Sequence, residues 1–79
     1  MEETYNSLSK EEKAQVIRSH IKNLELTKYN IQLSILAEQS IDVPSETTIM
    51  SYQMQLDDAG DKQQALQAEL LRVESEPVV

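Results

Sequence analysis

A chain of 79 residues without Cys has room for one domain and no disulfide to staple it, and a core of that size supplies only about 3 to 5 kcal/mol by itself. The net charge of −7 argues against nucleic-acid binding, which calls for a basic face to neutralise phosphates. With one histidine and no thiolates no metal or cofactor is expected, and without an apolar leader or an apolar run of roughly 18 to 20 residues the expectation is a cytoplasmic protein with no membrane contact.

Residues 1–8 carry no hydrophobic period and are expected to be disordered. Ser9 followed by Glu12 is a capping box: the Ser oxygen accepts a backbone N–H, the Glu reaches back to the cap, and Glu11 and Glu12 suit the positive end of a helix dipole. The spacing predicts a first helix over about 9–39. Along it Ala14, Ile17, Ile21, Leu24, Lys28, Ile31 and Ile35 recur at alternating steps of three and four, the seam pattern of a coiled coil. A second apolar line, Leu26, Tyr29, Leu33 and Leu36, lies about 140° around the same helix at 100° per residue. Arg18 and Lys22 continue that line toward the N-terminus.

The segment 40–44 breaks the period, because Pro44 lacks an N–H and disfavours the helical conformation at Val43. Pro44 most simply opens the second helix, with Ser45 as the alternative cap; the helix is expected over about 45–75, followed by a tail at 76–79. Its seam is Ile49, Tyr52, Leu56, Ala59, Gln63, Leu66, Leu70 and Val73, with Met50, Met54 and Leu71 off it. The stretch Asp57, Asp58, Ala59, Gly60, Asp61 would pass for a turn in isolation. The heptad phase runs through it unreset, so the helix is expected to continue. Gly60 is then expected to let two helix backbones approach, with a hinge as the alternative.

The fold class expected is all-α, an antiparallel two-helix hairpin of coiled-coil type. Pairing across the break sets Ile35 by Ile49, Ile31 by Tyr52, Lys28 by Leu56 and Asp57, Leu24 by Ala59 and Gly60, and Ile21 by Gln63. Two polar residues thus fall in the seam. Lys28 is expected to extend its head to Asp57, and Gln63 needs a partner. Charge favours the same pairing: residues 10–28 hold five cations against three carboxylates, while residues 38–76 hold nine carboxylates against two cations.

One partner helix cannot cover both lines of the first helix, and contiguous apolar patches on small proteins mark interfaces. The expected interaction residues are therefore Arg18, Lys22, Leu26, Tyr29, Leu33, Leu36, Met50 and Met54. The expected function is a non-enzymatic assembly module that self-associates through its second apolar face, as a homodimer forming a four-helix bundle. The alternative is a small acidic regulator or inhibitor of bacterial or phage type that docks on a larger protein. No phosphate loop, nucleophile elbow, H-E-x-x-H or His–carboxylate cluster points to catalysis.

Overall fold

Helix α1 spans Lys10–Gln39 and helix α2 spans Glu46–Glu74, in a computed structural model that describes residues 8–77. The two pack against each other as an antiparallel hairpin with extents of 61 × 19 × 18 Å. The expected all-α hairpin is what the chain forms. The disorder expected at the N-terminus concerns residues of which 1–7 lie outside the described ones, as do residues 78 and 79 of the tail.

Both helices begin where a side chain can take an orphan N–H. Ser9 sits in the extended region (φ −70°, ψ 164°); the Glu12 N–H donates to its Oγ at 3.1 Å and its own N–H donates to Glu12 Oε1 at 2.8 Å. Hydrogen bonding from Ser9, by its backbone N–H foremost and then by its side chain, holds the Glu12 carboxyl below its usual range. Helix α2 begins differently from the simplest expectation. Pro44 stands outside it, and Ser45 (φ −85°, ψ 108°) is the cap, accepting from the Thr48 N–H at 3.3 Å. The Ser45 N–H is engaged across the loop by Glu38 Oε2 at 2.9 Å, which ties the start of α2 to the end of α1.

The seam residues are the ones the packing covers. Ala14 and Ile31 of α1 and Ala59, Gln63 and Val73 of α2 are buried, and the other ten seam positions are half-buried. Partial burial follows from the architecture, since each helix has one neighbour and the flanks of the seam meet solvent.

Helix α2 runs unbroken through Gly60, as the phase requires. The role expected for this glycine does not hold. A Cβ built on Gly60 would meet no atom within 4 Å, so no backbone approaches it closely enough to require its absence.

Candidate interaction surface

The polar residues of the seam form one closed cluster. Gln63 Oε1 accepts from Lys28 Nζ at 3.0 Å, while Gln63 Nε2 donates to Glu25 Oε1 at 2.6 Å and to the Ile21 carbonyl at 3.4 Å. Lys28 also lies 3.9 Å from Glu25. Lys28 therefore does not reach for Asp57 as expected, and the reason is directional. Helical side chains lean toward the N-terminus of their own helix, so in an antiparallel pair Lys28 and Gln63 lean toward each other, whereas Asp57 leans away. Among the described residues no buried side-chain nitrogen or oxygen lacks a partner. The cluster satisfies a glutamine that is only 6% exposed, and a slip of the pairing by one heptad would break it.

The open end of the hairpin is closed by charge. Arg18 pairs with Glu74 at 2.5 Å, Lys13 with Glu76 at 3.5 Å, and Lys10 Nζ donates to the Glu76 carbonyl at 3.3 Å. Arg72 binds Glu69 at 2.5 Å and Glu76 at 3.3 Å along its own helix. The hydrogen bond from Arg72 pulls the Glu69 carboxyl below its usual range, and Glu69 in turn raises the guanidinium. The complementarity of a basic helix and an acidic one is thus realised at this end. Toward the loop it is not: Lys22, Asp57, Asp58 and Asp61 are exposed and make no ion pair among the described residues.

Every residue of the expected interaction set faces solvent. Leu26, Tyr29, Leu33 and Leu36 expose 52, 59, 43 and 62% of their surface, and Met50 and Met54 expose 62 and 66%. Arg18 and Lys22 are exposed on the same side of α1 as its four apolar residues. The methionines are not beside that line. They lie about 180° from the α2 seam at 100° per residue, so the hairpin carries one apolar face on the outside of each helix. Ile41 and Val43 in the loop are exposed as well.

A further apolar feature lies at the open end, where Leu8, Val16, Ile17 and Val73 line a shallow cleft rimmed by Lys13, Glu69 and Arg72. Spacing does not reveal it, because Leu8 lies in the stretch without a period and Val16 stands off both stripes. A second cleft, between Lys28, Gln32, Asp57, Gly60 and Gln64, is polar and open. Among the described residues no group of His, Asp and Glu could hold a metal ion, and no helix is long and apolar enough to cross a membrane.

The hairpin with two solvent-facing apolar strips thus defines a class by architecture alone: no family model matches the chain, and neither a curated protein nor a solved structure does.

Proposed function

We propose that this chain is a non-enzymatic assembly module that associates with copies of itself through the outer face of α1, the smallest product being a homodimer of four helices. The observation that carries this reading is the exposure of Leu26, Tyr29, Leu33 and Leu36 as one continuous line on a helix whose opposite stripe is already packed. Burying such a side chain completely is worth about 1.5 to 3 kcal/mol, so four that are half exposed offer roughly 3 to 6 kcal/mol from one copy, with a similar contribution from whatever covers them. Association costs about 4 to 15 kcal/mol in lost freedom. The balance supports a reversible complex that forms as concentration rises, not a permanent one.

Mass action then links folding to chain concentration. The helicity of the protein should melt at a temperature that climbs with concentration, and sedimentation equilibrium should give a mass above one chain at tens of micromolar. A strictly monomeric mass together with a concentration-independent melt would refute self-assembly. That result would favour the alternative, a small acidic regulator whose exposed α1 face docks on a larger protein.

A further inference from the structure

Resting on the self-assembly reading, the geometry points to what the outer face of α1 meets: the outer face of α2 in the next copy, and not a second α1. The register of the hairpin sets Ile21 against Gln63 and Glu38 against Ser45. By the same register Met50 and Met54 are level with Leu33 and Tyr29, on the opposite outer edge of the rod. Lys22 is level with Asp61, which shares the methionine face of α2, and Asp57 and Asp58 flank that face at 100° per residue. Read from the loop outward, α1 presents apolar residues and then cations. Read the same way, α2 presents apolar residues and then carboxylates.

A sideways displacement of one hairpin, without reversal and with a turn about its long axis, therefore brings Leu26, Tyr29, Leu33 and Leu36 onto the Met50 and Met54 strip of its neighbour. Methionine suits such a contact, because its flexible thioether adapts to leucine and tyrosine surfaces. The same displacement sets Lys22 beside Asp61 and Asp58 of the next copy, and none of these three has an ion-pair partner within its own described chain. The symmetric choices do worse. A parallel α1–α1 contact juxtaposes Arg18 with Arg18 and Lys22 with Lys22. An antiparallel one covers the leucines but leaves both methionines and the three aspartates unused, and an α2–α2 contact in parallel stacks the aspartates on themselves.

A contact between two different faces is not completed by two copies, which leave one face of each kind free. Each added copy presents the face the next one needs, so the dimer is the first step of a row or ring of hairpins that point the same way.

The test uses two variants at exposed positions, with helicity by circular dichroism as the folding control. Leu33→Asp removes the α1 face, and the double variant Met50→Asp, Met54→Asp removes the α2 face. At a concentration where the wild type associates, each variant alone should sediment as a monomer with wild-type helicity. An equimolar mixture should recover a species of two chains and nothing larger, because each variant retains one working face. The wild type should form species beyond the dimer as concentration rises. Lys22→Glu should weaken association by about tenfold or more through like-charge contact with Asp58 and Asp61, and mixing it with Asp58→Lys, Asp61→Lys should restore it. If the methionine double variant dimerises as well as the wild type, or the mixture stays monomeric, the α1-to-α2 contact is wrong while self-assembly stands. If the wild type is itself a monomer, both readings fall.

Discussion

Replacing Gly60 with alanine should make this protein more stable. The position is interior to a 29-residue helix and carries no positive φ. A glycine there costs about 0.8 to 1 kcal/mol relative to alanine, through backbone freedom lost on folding. The usual offset, a clash of the new methyl with a neighbouring helix, does not arise, because the Cβ would meet nothing within 4 Å. The net gain is therefore close to the full propensity difference, about 1 kcal/mol. For a domain of this size that raises the melting temperature by about 4 to 8 °C, and moves the urea midpoint by up to roughly 1 M at an m value near 1 kcal/mol/M. Both are read from circular dichroism of the two proteins at matched chain concentration, with the mass measured in parallel. A Gly60→Ala protein that keeps its helicity but melts at or below the wild-type temperature would refute the argument, and would mean that Gly60 serves as a hinge or is approached closely by something outside the single hairpin.

Three further outcomes follow from the packing and the caps. Leu24→Asp and Leu66→Asp place a charge in the half-buried seam and should unfold dilute samples through a loss of several kcal/mol, whereas Leu33→Asp should leave helicity intact and reduce association; equal loss of helicity in all three would merge the two lines into one core. Ser45→Ala should cost about 1 kcal/mol by removing the α2 cap, and Pro44→Ala much less, so the reverse order in urea denaturation would restore Pro44 as the start of the helix. The Glu12 and Glu69 carboxyls are both held below their usual range, so the folded state binds their protons less readily than the unfolded chain. Their stabilisation is present above the ordinary Glu value of about 4.3 and is lost as pH falls through the depressed folded values. The difference in melting temperature between wild type and Glu12→Gln should therefore shrink on acidification through this range, and a difference that grows would reverse the sign.

How much of this was legible in the sequence depended on how far each feature is set by spacing. The seam was readable residue by residue, because steps of three and four place side chains on one stripe whatever the residues between them do. The continuation through Gly60 was readable for the same reason, against a local composition that resembles a turn. The function of Gly60 was not, since it depends on how closely the other helix approaches, which spacing along one helix does not state. The partner of Lys28 does not follow from residue level alone, because the lean of helical side chains carries the ammonium past Asp57 to Gln63. The choice between Pro44 and Ser45 turned on the loop, where Glu38 reaches over to hold the Ser45 N–H. The exposed line on α1 and the methionines were identifiable as lying off the seam. Their placement on opposite edges of one rod required both helices to be set side by side.

The cross-links along the rod also differ in how much chain each one closes. The bond nearest the loop joins residues 7 apart in sequence, the cluster at the middle joins residues 35 to 42 apart, and the contacts at the far end join residues up to 66 apart. Loop-closure entropy grows with that separation, so the contacts of Lys10, Lys13 and Arg18 with Glu74 and Glu76 carry the largest closure cost of the three sets. Those last contacts are partly exposed ion pairs, which salt screens and which add little free energy each. What holds that end when salt screens its charges is therefore the packing of Ala14 and Val73, the two seam residues that lie deepest there.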